Sequence, residues 1–402
     1  MKIIDVDVIV CSPGRNFVTI KVRTDEGIFG LGDATLNGRE LAVAEYLRQY
    51  IIPCLIGKDP FDTEDIWQYL YRGVYWRKGP VNMTAIGAVD MALWDIKGKA
   101  LGVPVYNLLG GRSRAYLDTY THAQGTDLTS TLEEIGRLQD LGYSALRVQC
   151  GVPGLDKVYG VSSHDKYEPA REGERPVEEV WDSHKYIQFI PKLFEAVRLE
   201  FGIELRLLHD VHHRLTPNEA ALVGKRLEHF DLFWLEDTTP AENQDALRLI
   251  RNSTSVPLAI GEIFNTVYDC QSLIINQLVD YIRMTIAHGG GITPMMKVAS
   301  LASLYQIKMA CHGPSDLSPI NLAACIHFDT TINNFGIQEY MGYPAMISDV
   351  FQISHNITPG RIEPSDTPGL GVEVDLDAAR KYPYKKSFLP VNRLVDRTLH
   401  NW

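Results

Sequence analysis

From about residue 116 onward, short runs rich in β-branched and aromatic residues alternate with longer stretches of helical periodicity. The strand-like runs are 116–122, 145–150, 205–210, 232–236, 256–262, 280–285, 307–312 and 335–339. Helix-like segments separate most of them, among them 130–142, 217–230, 242–252, 272–279 and 294–305. Strands that alternate with helices imply parallel pairing. Eight such units predict a closed (β/α) TIM-type barrel, so the fold class is α/β; an open doubly wound sheet is the structural alternative. Before residue 115 the pattern changes to strand-like 16–35 followed by helical 39–51 and 85–102, which predicts an N-terminal α+β capping domain over 1–115. The barrel is then expected over 116–359, and a tail from about 360 to 402 is expected to return to the capping domain and cover the barrel mouth. One interval breaks the rhythm. About 35 residues rich in Gly, Pro, Lys, Asp and Glu separate Cys150 from the helix near Tyr186, far more than an ordinary strand-to-helix loop.

Three of the apolar runs, IELRLLHD, FDLFWLED and VPLAIGE, carry an acid at or near the end, and Asp210, Glu236 and Glu262 are evenly spaced (236 − 210 = 26, 262 − 236 = 26). Parallel strands bring their C-terminal ends to one rim, so these carboxylates are expected to converge there. Like charges so close favour a cation. Oxygen ligands without a neighbouring cysteine pair favour Mg²⁺, one per chain, over zinc.

Composition narrows the rest. Apolar residues make up 45% and charged residues 22% of the 402, ordinary for a globular chain. A net charge of −11 with no basic patch argues against nucleic acid. No run of about 18 apolar residues and no signal-like N-terminus is visible, so no membrane span is expected. The six cysteines (11, 54, 150, 270, 311 and 325) lie far apart without a CxxC, which suits packing thiols in a reducing cytoplasm.

Other residues could carry chemistry at the same rim. His212 follows Asp210 by two and, on an extended chain, projects to the same side, which suits a general acid; orienting Asp210 is the plainer reading. His209 and His213 then point away and are assigned to packing. Arg147 and Gln149 alternate on the second strand, with Tyr159 in the long loop after it. An arginine beside a tyrosine favours the phenolate, a possible base, although structural hydrogen bonding by such a pair is commoner. Arg283, His312 and Glu339 sit at or near the ends of the last three strands. Arg283 suits either a substrate carboxylate or a buried ion pair with one of the acids. Gly289-Gly290-Gly291 reads as a tight turn or an anion cradle.

Taken together, the motifs RNFVTIKV, GDATLNGRE, YWRKGPV, RVQCGVPG, LLHDVHHRLTP, EDTTPAEN, HGPSDLSP and EYMGYP resemble the enolase superfamily along essentially the whole chain, and within it the mannonate dehydratase subgroup with its starvation-sensing-protein-like members. The resemblance implies that Asp210, Glu236 and Glu262 hold Mg²⁺, that Tyr159 with Arg147 is the base and that His212 is the acid. It further implies that Asn37, His122, Arg283, His312, Asp316 and Glu339 hold the hydroxyls or carboxylate of a sugar acid. The expected activity is a β-elimination of water from an aldonate, D-gluconate or D-mannonate, to 2-keto-3-deoxy-D-gluconate, and the expected assembly is a homo-oligomer. Other superfamily members place a lysine pair on the second strand, where this chain has Arg147 and Gln149, and a His-Asp dyad has no aspartate at 283–285; both departures speak against a racemase. The rival readings are a sugar-acid or lactone sensor with vestigial turnover and an epimerase.

Overall fold

The computed structural model describes residues 1–155, the backbone of 171–172, and 175–401. Eight parallel strands form the central sheet: Leu117–Gly125, Ala145–Cys150, Arg206–Asp210, Trp234–Glu236, Leu258–Ile260, Tyr281–Ile282, Lys308–Met309 and Gln338–Glu339. Each of the first seven pairs with the next in chain order except the seventh, and the eighth pairs back onto the first, Gln338 opposite Thr119. A bridge between Met309 and Phe335 joins the seventh to the eighth and closes the ring. All eight expected strands are present.

The last four strands are shorter than the sequence suggests, because the chain leaves the ladder early and turns into the mouth. At Gly261 the backbone takes φ +140°, and a Cβ there would lie 3.1 Å from the backbone nitrogens of Arg283 and Met284. Glycine thus permits the close approach that carries Glu262 off the strand axis. Helix starts are set locally: Thr216 and Glu219 form a reciprocal capping box ahead of Pro217–Leu227, with Pro217 in the first turn. Such a cap is worth about 1 kcal/mol.

One residue in each strand, or directly beside it for Ala310 and Ile337, fills the barrel interior: Tyr120, Ala145, Leu208, Trp234, Ala259, Tyr281, Ala310 and Ile337 form one buried apolar cluster. Large rings sit beside small alanines, so the layer interdigitates. Trp234 meets Tyr120 edge-on at 5.5 Å and Tyr281 at 5.0 Å. This layer is the floor of the mouth.

The N-terminal segment forms a three-stranded antiparallel sheet (Ile3–Cys11, Phe17–Thr24, Phe29–Asp33) packed on the long helix Pro80–Leu101. A Cβ at Gly32 would stand 1.9 Å from the carbonyl oxygen of Ala88, so only glycine lets the strand lie this close to the helix. Polar contacts tie this layer to the barrel: Asp33 accepts from the Ser318 amide at 2.7 Å, and Trp67 Nε1 donates to the Gly290 carbonyl at 2.7 Å. The Gly289–Gly291 turn leads into the helix Ile292–Leu304, whose Thr293 amide donates to buried Asp90. Because the protein supplies that acceptor, the tight-turn reading is the one observed.

The tail packs on the N-terminal layer: Ser12 N donates to the Tyr382 carbonyl, and Asn16 Nδ2 to the Lys385 carbonyl. It then pairs with the long interval after Cys150, Val391–Leu394 running parallel to Glu178–Trp181. All six cysteines are free thiols. No described helix is long and apolar enough to cross a membrane.

Candidate active site

Side chains on a strand alternate between faces, so the residue two beyond each floor position points inward one layer higher. Those residues are His122, Arg147, Asp210, Glu236, Gly261, Arg283, His312 and Glu339. Seven of the eight are ionisable residues, and the eighth is the glycine that admits Glu262. A polar layer therefore rests directly on the apolar floor.

Asp210 and Glu236 are partners in register on adjacent strands. Asp210 is buried and accepts from Arg147 Nη1 at 2.7 Å, from the His212 amide at 2.9 Å, and from His212 Nε2 at 2.8 Å. Burial works against its ionisation, but His212 and Arg147 outweigh that and hold the carboxyl well below the usual range. Glu236 is turned sideways: Oε1 pairs with Arg283 Nε, and Oε2 accepts from the floor residue Trp234 at 3.0 Å. Burial, opposed by Arg283 and reinforced by Asp210, Asp237 and Glu339, pushes Glu236 up to about 8. Burial and the charges of Asp237, Asp210 and Glu236 likewise push Glu262 far up.

Asp210, His212 and Glu262 each present a donor atom within 4.8 Å of the others. The expected acid His212 thus stands among the expected ligands, while Glu236 faces its two protein donors. Buried carboxylates that raise one another's proton affinity, in a set dominated by oxygen, fit a hard divalent cation such as Mg²⁺.

The other expected residues fall around this centre. His122 Nε2 lies 2.6 Å from Glu339 Oε1, and His312 Nε2 lies 3.4 Å from Glu262. Burial lowers both histidines to about 4, so both are neutral at ordinary pH. Arg283 is fully buried and bridges Glu236 to Glu339, with Nη2 to Glu339 at 2.9 Å. It makes the ion pair that was one of its two expected roles. Asn37 donates to Asp316 at 3.1 Å, which joins the N-terminal layer to the loop after the seventh strand. Gln149 accepts from Arg147 at 3.1 Å. Tyr159 lies outside the described residues.

Two local features differ from the sequence reading. The chain after Asp210 is not extended: His212 and His213 both lie in the left-handed region, at φ +54° and +58°. His212 reaches Asp210 through this turn and not by strand alternation. His213 is not merely packed, since its Nε2 stands 3.3 Å from Asp237 and the pair adjoins Glu262. Burial opposes a charge on His213, but Asp237 outweighs it and moves the imidazole up to about 10. Asp237, directly after Glu236, would face away on an extended strand, but it lies in the left-handed region at φ +44°. Of the two histidines assigned to packing, His209 keeps that role, between Tyr186 and the Val148 carbonyl.

Residues 132–379 match the family described as enolase C-terminal domain-like, and residues 10–110 match the mandelate racemase/muconate lactonizing enzyme N-terminal domain. The chain belongs to the enolase superfamily. Among relatives of this enolase-superfamily chain, a protein of Sphingomonas sp. (strain SKA58) named D-mannonate dehydratase is 57% identical over the whole of both chains. A Cellvibrio japonicus protein named D-galactonate dehydratase family member RspA is 55% identical, again over the whole of both. Identity at that level also places the chain in this family of sugar-acid dehydratases. A solved enolase from Pantoea ananatis with bound D-gluconate and Mg superposes with a TM-score of 0.92 at 37% identity, covering all of both chains.

Proposed function

We propose that the protein is a Mg²⁺-dependent aldonate dehydratase that converts D-gluconate, D-mannonate or both to 2-keto-3-deoxy-D-gluconate. The supporting observation is the convergence of Asp210 and Glu262 around His212, with Glu236 in register beside Asp210. Asp210, Glu236 and Glu262 would hold the ion, with Glu236 exchanging one of its present hydrogen bonds for it. When bound, Mg²⁺ supplies positive charge beside the substrate carboxylate as the α-proton leaves.

The chain's own residues do the proton work. Tyr159, with Arg147 favouring its phenolate, takes the proton from C2. The C3–O bond then breaks, and His212 delivers a proton to the departing hydroxyl, which leaves as water. The enol left behind takes up a proton at C3 and releases the one on its C2 hydroxyl, which gives the 2-keto-3-deoxy acid. Gluconate and mannonate differ only at C2, whose configuration is lost, so both give one product. His122 and His312, neutral through burial, are suited to hydrogen-bond sugar hydroxyls along with Asn37, Asp316 and Glu339. Arg283 stands behind them and keeps Glu236 and Glu339 in place.

The test is to offer purified protein with Mg²⁺ a panel of C5 and C6 aldonates and measure 2-keto-3-deoxy acid. Product from gluconate or mannonate is expected; silence across the panel at high enzyme concentration rules the reaction out.

A further inference from the structure

The turn that presents His212 is conformationally costly, and the structure shows what restrains it. His212, His213 and Asp237 all take positive φ without being glycine, at the ends of two adjacent barrel strands. Residues in that region persist only where their surroundings over-determine them, and they cluster at functional sites. Here the two strand ends are stitched together along the backbone: Val211 N donates to the Glu236 carbonyl at 3.0 Å and His213 N to the Asp237 carbonyl at 2.5 Å. His213 adds a side-chain tie. Its Nδ1 lies 3.1 Å from the Thr239 carbonyl and its Nε2 lies 3.3 Å from Asp237 Oδ2, so one ring spans the loop after Glu236. Beyond this contact the Asp237 carboxylate, fully buried, has no hydrogen-bond partner among the described residues.

We infer that His213 and Asp237 are a positioning pair that holds the left-handed turn at 212–213 and thereby keeps His212 on Asp210, ready to protonate the leaving hydroxyl. The role rests on the proposed dehydration, which deprotonates first and eliminates second. Removing the tie slows the second stage more than the first.

The variant is His213→Ala, which deletes the ring and leaves the positive φ without that support; Asp237→Asn is the second, isosteric variant. In D₂O with Mg²⁺ and gluconate or mannonate, both variants should exchange the C2 proton of recovered substrate, with the ratio of exchange to product rising at least 10-fold. His212→Asn, which removes the acid itself, should show the same change of ratio. KM and Mg²⁺ affinity by calorimetry should stay within about 3-fold, a split that a general loss of structure would not give. An unchanged ratio in variants that fold overturns the inference. So does loss of a second equivalent of Mg²⁺ in His213→Ala, since His213 would then be a ligand. A crystal structure of either variant tests the tie apart from the reaction: the His212–Asp210 contact of 2.8 Å should be lost, and its survival overturns the inference even if the wild type dehydrates nothing.

Discussion

Two layers of one barrel, set two residues apart along every strand, obey opposite rules. The floor, from Tyr120 to Ile337, is apolar and complementary in size, with alanines beside the aromatic rings. The layer above, from His122 to Glu339, has the same scaffold but is charged and internally strained: Glu236 and Glu262 hold protons more tightly because burial, and after it the crowding of neighbouring acids, disfavours their ionised forms. The floor is complete as it stands, whereas the polar layer is suited to a cation and an anionic ligand. The comparison teaches that the scaffold supplies direction and spacing, and that charge imbalance, not packing, makes the site.

The sharpest way to break the comparison is to neutralise the upper layer. Glu262→Gln should lower Mg²⁺ affinity by more than about 100-fold, beyond the 10–100-fold typical when only a supporting residue is lost; titration calorimetry reads this directly. Next in size is Arg283→Met, which leaves Glu339, a buried acid that Arg283 helps to hold ionised, without that partner. Losing one member of a buried ion pair costs about 3–5 kcal/mol, and denaturant unfolding should show that loss.

The acids also predict a pH dependence. Folded, metal-free Glu236 keeps its proton up to about pH 8, whereas in the unfolded chain it releases it near its ordinary value of about 4.3. The unfolded state therefore binds fewer protons at this site over the window, and the contribution of Glu236 to stability, fully present below about pH 4, is lost as pH rises toward 8. Saturating Mg²⁺ should cancel the fall, because the ion binds the ionised carboxylates; melting curves with chelator and with Mg²⁺ make the comparison. The smallest effect belongs to the floor. The Tyr120 hydroxyl is buried without a hydrogen-bond partner among the described residues, so Tyr120→Phe should change stability by no more than about 1 kcal/mol in either direction, with Mg²⁺ affinity unchanged.

Much of this was legible in the chain. Alternation of runs revealed eight strands, and strand ends at Asp210, Glu236 and Glu339 followed from apolar periodicity and acids at the boundary. Harder to read was everything after the ladder breaks. The turns at His212, His213 and Asp237 use non-glycine residues at positive φ, which local sequence rules assign to glycine or asparagine, so the His213–Asp237 pair stayed hidden. The orientation of Glu236 toward Arg283 depends on three strands at once and has no local signature. A usable signal was nonetheless present: stepping back two residues from each rim acid or base finds the floor, and stepping forward two from each floor residue finds the polar layer.

The most direct measurement is a crystal structure with Mg²⁺ and an aldonate bound. The account predicts oxygens of Asp210, Glu236 and Glu262 at about 2.1 Å from one ion, with the sugar-acid carboxylate on the same ion and His212 facing the C3 hydroxyl. An ion held elsewhere, or Glu236 still engaged only by Arg283 and Trp234, would contradict it.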